Sequence, residues 1–184
     1  MNIPPLGTVT KDAKSGWYHS EPIPVSVLGG KRCRIVVEGY NEDPRKDDFH
    51  VAIASFLSID SSVLEAAEGH VFQYYQDCKG AWEDDEAVEI ESPGDVWDHV
   101  QLGSEPVVSR RPYGDEGIYI SLECNCDWEE EHGLQIVFKN GQRVNKIGPY
   151  DGHLTNSDAY GNADLEDVIY RRVGIAGWES ESEL

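Results

Sequence analysis

Basic residues are scarce in this sequence. Its 184 residues include 15 Lys and Arg against 35 Asp and Glu, which gives a formal net charge of −20 at pH 7. A field of this sign repels phosphate backbones and anionic membrane surfaces, so we expect no binding to nucleic acid or membranes. The same charge favours cationic partners, such as a basic protein, polyamines or metal ions. The alternative is that the acidic residues only keep the protein soluble.

Long apolar runs are absent too. No stretch approaches the roughly 20 apolar residues of a transmembrane helix, and the N-terminal MNIPPLGTVTKDAKSGWYH lacks the apolar core of a secretory signal. Four cysteines occur, at positions 33, 78, 124 and 126. We therefore expect a cytoplasmic protein with reduced thiols.

Familiar catalytic patterns are also missing. The sequence has no G-x-S-x-G nucleophile elbow, no G-x-x-x-x-G-K-[ST] phosphate loop and no H-E-x-x-H zinc motif. This favours a non-enzymatic protein that needs no cofactor.

Hydrophobic patterning predicts one α+β domain over residues 1–184, with a mostly antiparallel sheet, one long helix and one or two short helices. The long helix is expected from about Asp60 to Gly80 and a short one over Asp164 to Arg172. Residues 1–16 and 179–184 are expected to be loosely held.

Segments with the residue pattern of β-strands lie on both sides of several predicted turns. Val25 and Val27 before Gly29-Gly30, with Ile35 to Val37 after it, predict a first hairpin. The run FHVAIASFL, residues 49–57, fits a short strand or a helix. Two more strands are predicted around PYGDEG, residues 112–117.

The clearest hairpin spans residues 133–148. Leu134, Ile136 and Phe138 alternate and lead into Asn140-Gly141, a two-residue turn typical of β-hairpins.

The stretch WEEEHGLQIVFKNG at Trp128 and the later YDGHLT at Tyr150 resemble an uncharacterised bacterial domain family. VFQYYQD (71–77) and DVWDHV (95–100) are similar to the same pattern, so the likeness extends from about residue 25 to residue 160. The resemblance implies no activity and no catalytic residues. Members of the family are similar in size and acidity to small immunity proteins of bacterial toxin systems.

The resemblance highlights two groups of residues: Trp128, Glu129, Glu131, His132 and Gly133, and then Tyr150, Asp151, Gly152 and His153. The first group precedes the predicted hairpin and the second follows it. Because the two outer ends of an antiparallel hairpin lie side by side, we expect these groups to meet in space.

Three functions remain open for this corner. A binding module for a basic partner would use an exposed Trp128 ringed by carboxylates, and its candidate binding residues are Trp128, Glu129, Glu131, His132, Asp151 and His153. A metal-binding or metal-dependent hydrolytic site would use Glu131, His132, Asp151 and His153. The third is a purely structural, hydrogen-bonded corner around a packed Trp128.

Other candidate metal sites match their patterns poorly. Cys124 and Cys126 share one strand face, but zinc usually needs two turn-spaced pairs, so we expect both thiols to fill the end of the sheet. A calcium loop beginning at Asn156 is broken by Tyr160 and has the shorter Asp167 at its last position.

Overall fold

A computed structural model describes residues 1–80 and 88–172 of the chain. The strands within these residues are β1 (Asn2–Ile3), β2 (Gly7–Lys11), β3 (Tyr18–Ser20), β4 (Ile23–Val25), β5 (Lys31–Cys33), β6 (Val36–Val37), β7 (Val100–Gln101), β8 (Val107–Arg110), β9 (Ile118–Cys126), β10 (Leu134–Lys139) and β11 (Arg143–Gly148). The α-helices are α1 (Lys46–Ser58), α2 (Ser62–Glu65), α3 (Glu68–Lys79) and α4 (Asn156–Tyr160). Short 3₁₀ helices occupy Ser26–Leu28, Pro93–His99 and Ala163–Leu165.

A large sheet organises the molecule. Its strand order is β1-β2-β3-β6-β8-β9-β10-β11, with β7 paired to one end of β9. The neighbours are antiparallel except for β6 and β8, which run parallel. The described fold is therefore α+β with a mostly antiparallel sheet, as the sequence predicts.

The core lies between one face of this sheet and the helices. In β9, alternate residues from Ile118 to Cys126 are buried, and in β10 Phe138 packs edge-on against Phe56 of α1 with ring centroids 5.1 Å apart. Tyr74 and other buried residues of α3 cover the same core. No helix among the described residues is long and apolar enough to cross a bilayer.

The predicted hairpin of residues 133–148 is present as β10 and β11. Asn140 and Gly141 form its turn with positive φ angles of 52° and 66°, which suits the Asn-Gly pair. The two strands predicted around residues 112–117 are also present, as β8 and β9.

The first hairpin has a different return strand. Ile23–Val25 pairs with Lys31–Cys33 in a separate two-stranded ribbon. Val36–Val37 joins the large sheet instead, beside β3 and β8. Alternation of apolar and polar residues identifies strands, but it does not determine which strands pair with each other.

The helices also differ from the sequence expectation. The stretch predicted as one long helix divides at Ala66 and Ala67, where the Ala67 N–H bonds the Leu64 carbonyl three residues back, and Gly69 follows with weak helix propensity. The run 49–57, which fitted a strand or a helix, lies within α1.

The helix predicted over Asp164 to Arg172 is wrong. The chain forms α4 earlier, because the Thr155 side chain caps the N–H of Asp158 and Gly161 ends the helix at a φ of 60°. Only Asp164 and Leu165 of the predicted span belong to a 3₁₀ turn.

The N-terminal residues 1–16 contribute β1 and β2, with Ile3 and Val9 buried, whereas we expected them to be loosely held. The expectation for residues 179–184 falls outside the described residues.

Candidate functional site

The two segments that flank the β10–β11 hairpin lie side by side, as predicted. Gln135 pairs with Gly148 at the open end of the hairpin. Beyond that pair, the N–H of Tyr150 donates to the carbonyl oxygen of His132 at 3.2 Å. Pairing of the strands between them thus brings together two segments that the sequence separates.

Glu129 organises the first segment from within. Its carboxylate accepts the N–H of Glu131 at 3.1 Å and the N–H of His132 at 2.8 Å. The Tyr74 hydroxyl donates to the carbonyl of Gly133 at 3.0 Å and so ties the turn to α3. The carboxylate of Glu129 therefore holds the turn together.

Lys146 organises the second segment. Its ammonium, only 2% exposed, donates to Asp151, to Gln135 Oε1 at 2.8 Å and to the carbonyl of His153 at 3.2 Å. The N–H of His153 also donates to Asp151 Oδ1, at 2.8 Å. Burial lowers the pKa of Lys146, and the hydrogen bond to Asp151 opposes that shift. Asp151 is thus a bound partner of a buried cation.

The two histidines face separate carboxylates. His132 Nδ1 lies 3.3 Å from Glu129, and His153 Nδ1 lies 3.5 Å from Asp151. The group of possible metal ligands found among the described residues consists of Glu129, Glu131 and His132. Asp151 and His153 do not join it, so the four-residue metal set predicted from the sequence is not assembled.

Trp128 is not an exposed anchor, and the expectation that it forms a recognition edge is wrong. Its side chain is fully buried, with its ring centroid 6.1 Å from that of Tyr74 and 6.0 Å from that of Tyr75. The physical reason is alternation, because Trp128 continues the inward face of Cys124 and Cys126 two residues further along the chain.

Cys124 and Cys126 are buried free thiols at the end of β9. Burial raises the pKa of each to about 12. Neither joins the ligand group found among the described residues. The prediction that they fill the end of the sheet is confirmed.

The opposite face of the sheet carries an open cleft. Register places His19, Val36, Val107 and Ser121 in one row across β3, β6, β8 and β9. The row continues through Val137 to Lys146, where the segment after β11 covers it. Between β3 and that segment a cleft of about 590 Å³ remains open.

Aromatic residues contribute to both sides of this cleft. Trp17 enters it from the turn before β3, and Tyr150, which is 43% exposed, enters it from the segment after β11. Val36, Leu102 and Val107 form the aliphatic part of the lining. The cleft thus combines flat aromatic surfaces with an apolar floor.

Local hydrogen bonds position both aromatic residues. Asp12 accepts the N–H groups of Lys14 and Ser15 at 2.8 and 2.7 Å, and its own N–H donates to the Trp17 carbonyl at 2.8 Å. Tyr150 is fixed by its backbone bond to the hairpin end. The hairpin corner therefore acts as a support for one side of the cleft.

Carboxylates outnumber ammonium groups in the lining of the cleft. The carboxylate of Glu123 forms no hydrogen bond or ion pair with any described residue. Glu105 lies 3.5 Å from Arg34, and both side chains are more than half exposed, so this pair is weak. The ammonium of Lys31 donates one hydrogen bond to the carbonyl of Leu102 and keeps its positive charge, so the lining carries two carboxylates against one ammonium.

The pKa of the Tyr150 hydroxyl reflects the nearby carboxylates. Burial raises the pKa of its hydroxyl, and the carboxylates of Glu123, Asp151 and Glu38 raise it further. Glu38 is itself partly buried, and that burial raises the pKa of its carboxyl. A positive group in the cleft would relieve this repulsion.

Comparison with known proteins places the chain in a family. The model of a domain of unknown function, DUF6985, matches residues 5–154. The chain belongs to this family. The resemblance to an uncharacterised domain family is thereby confirmed. Comparison with curated proteins and with solved structures found no significant match.

The DUF6985 match contains both the hairpin corner and the cleft. Sequence reasoning chose the corner and missed Trp17 and Glu123, while Tyr150 was highlighted by the resemblance but was not among the candidate binding residues. Alternation in β9 could have indicated Glu123, because it points away from the face that Leu122 and Cys124 share.

Proposed function

We propose that the protein is a non-enzymatic binding module for a basic protein partner, in the manner of an immunity protein or an adaptor. The observation that carries this proposal is an imbalance between paired cations and unpaired carboxylates. We further propose a cytoplasmic location, because all four cysteines are free thiols, which persist in reducing compartments.

The cations of the described chain are largely used internally. Arg110 pairs with Asp48 at 2.9 Å and also binds Asp43. The guanidinium of Arg111, 3% exposed, pairs with Asp158 at 2.7 Å and also binds Glu166. Such pairs leave the acidic excess without internal partners.

Exposed carboxylates without a hydrogen bond or ion pair to the described residues include Glu91, Asp98, Glu123, Glu130 and Asp164. A surface of this kind attracts a basic protein at long range and raises the rate of encounter. Because exposed charges are screened by salt, the association must weaken as ionic strength rises.

Affinity capture tests the proposal with the full chain as bait. Lysate of the source cells is loaded at about 50 mM salt and eluted at about 500 mM, where the Debye length falls several-fold. We expect a basic protein to be retained and then to bind the purified chain directly, with affinity that falls as salt rises. Absence of any salt-sensitive basic partner contradicts the proposal.

A metal-dependent role is the second candidate. Glu129, Glu131 and His132 each offer a ligand atom, and these atoms all lie within 4.8 Å of one another. Elemental analysis of protein purified without chelators tests this role. Less than about a tenth of an equivalent of transition metal would reject it, because a resident site should be nearly filled.

A further inference from the structure

The cleft on the sheet face has the chemistry that a guanidinium group requires. Trp17 and Tyr150 both line it, and Glu123 brings a carboxylate without an internal partner. Guanidinium is planar, stacks on aromatic faces and donates from its edge to carboxylates. We propose that this cleft receives an arginine side chain of the basic partner, flanked by Trp17 and Tyr150 and hydrogen-bonded to Glu123. This inference rests on the proposed function and specifies where recognition occurs.

The polar groups of the lining favour a ligand that donates hydrogen bonds over one that accepts them. Glu105 and Glu123 supply two carboxylates against the single ammonium of Lys31, which donates one hydrogen bond to the Leu102 carbonyl and keeps its charge. An anionic ligand would meet two carboxylates for the one ammonium of the lining, within a net charge of −20. Charge complementarity therefore selects a cation.

The remaining lining suits an arginine within a peptide. Leu102 and Val107, both partly exposed, present apolar surface, along which the methylene stem of arginine packs while its charged end reaches a carboxylate. A volume of about 590 Å³ lies within the range of ligand pockets and leaves room for flanking residues. Gln101 and Asn125 at the rim can bond a peptide backbone.

The same type of stacking already occurs within the molecule. The guanidinium carbon of Arg171 lies 4.2 Å from the ring centroid of Tyr160. The two aromatic residues of the cleft, Trp17 and Tyr150, have no cation over their rings among the described residues. These surfaces are available to an arginine from another chain.

Titration calorimetry with a blocked nonapeptide tests the inference. The peptide carries one central arginine among glycine and serine residues, and the control peptide carries neutral citrulline there. We expect the arginine peptide to bind at least about tenfold more tightly, the weight of one charge-assisted hydrogen bond. Equal affinities, or no saturable binding below about 10 mM of the arginine peptide, would overturn the inference.

Variants of the full chain locate the binding site. Glu123→Gln and Trp17→Ala should each weaken the arginine peptide about tenfold, whereas Glu65→Gln, which changes an exposed acid of α2 outside the lining, should leave its affinity unchanged. Circular dichroism of each variant verifies the fold. Unchanged affinity in folded Glu123→Gln and Trp17→Ala would refute the assignment.

Binding of the captured protein to the variants distinguishes failure of the arginine site from failure of the proposed function. If the captured basic protein binds wild type, Glu123→Gln and Trp17→Ala equally, the arginine site is wrong while basic-protein binding stands. If wild type binds no basic protein, the proposed function itself is wrong.

Discussion

At the scale of single residues, two tryptophans have opposite environments. Trp128 is fully buried against Tyr74 and Tyr75, whereas Trp17 is partly exposed and lines the cleft. One is suited to stability and the other to contact with a ligand.

Trp128→Ala should lower the free energy of unfolding by about 3–5 kcal/mol, because it empties a large volume in the core. Trp17→Ala should lower it by less than about 1 kcal/mol, the usual effect away from the core. Urea denaturation followed by circular dichroism measures both. Similar losses in the two variants would contradict the burial of Trp128.

At the scale of elements, the hairpin tip is fitted closely to a helix. A Cβ atom on Gly141 would lie 2.0 Å from the carbonyl oxygen of Ala52 in α1, and the backbone φ there is +66°. Gly161 has a similar φ of +60° with nothing within 4 Å. Comparing alanine variants at Gly141 and Gly161 therefore distinguishes the cost of steric crowding from the cost of backbone strain.

Gly161→Ala should therefore cost about 1 kcal/mol of stability from strain alone. Gly141→Ala should cost about 2 kcal/mol more, because α1 or the turn must shift. Thermal and urea unfolding of the two variants test this difference. If both alanine variants lose the same stability, the turn does not pack on α1 as described.

Arg111 joins the end of β8 to the segment that follows the family domain. Burial alone would raise the pKa of Asp158, but the hydrogen bonds from Arg111 and Thr155, together with the charge of Arg111, outweigh burial and lower that pKa. The hydrogen bond to Arg111 is the largest cause of the lowered pKa of Glu166. Both carboxylates therefore stabilise the fold when they are ionised.

Carboxylates with lowered pKa values contribute stability that is complete at neutral pH and is lost as pH falls below about 4. Arg111→Met should thus be less stable than wild type at pH 7, and the difference should shrink in acid. Urea denaturation from pH 7 to about pH 3 measures it. The control is Arg143→Met, whose exposed pair with Asp167 at 3.7 Å should show no such trend. A difference that is constant with pH would contradict the role of Arg111.

The sequence predicted the elements that depend on interactions between residues close together in the chain. The β10–β11 hairpin depends on alternation and on Asn140-Gly141, which are local signals. The cleft depends on strand order, including the parallel β6–β8 pair. Trp17, Glu123 and Tyr150 line one cleft only because of that order, so local patterns could not place them together.

At the scale of the whole molecule, charge opposes compaction. Thirty-five acidic residues against 15 basic ones produce repulsion throughout the fold. This excess was evident from composition alone, whereas the internal pairing of cations such as Arg110 and Arg111 required the structure.

Added salt should therefore stabilise the protein at pH 7, because screening weakens the net repulsion more than it weakens the buried pairs. Melting temperature should rise between about 20 and 200 mM sodium chloride. A scan of melting temperature against salt, monitored by circular dichroism, measures this effect. A fall across that range would show that attractive pairs outweigh repulsion.

Mapping the contact surface by NMR tests the central claim most directly. Uniformly ¹⁵N-labelled protein is titrated with the arginine peptide and the amide and indole signals are followed. We expect shifts at the Trp17 indole, at Glu123 and at Tyr150, with the Trp128 indole unchanged. Shifts confined to Glu129–His132, or no shifts at all, would contradict recognition at the sheet-face cleft.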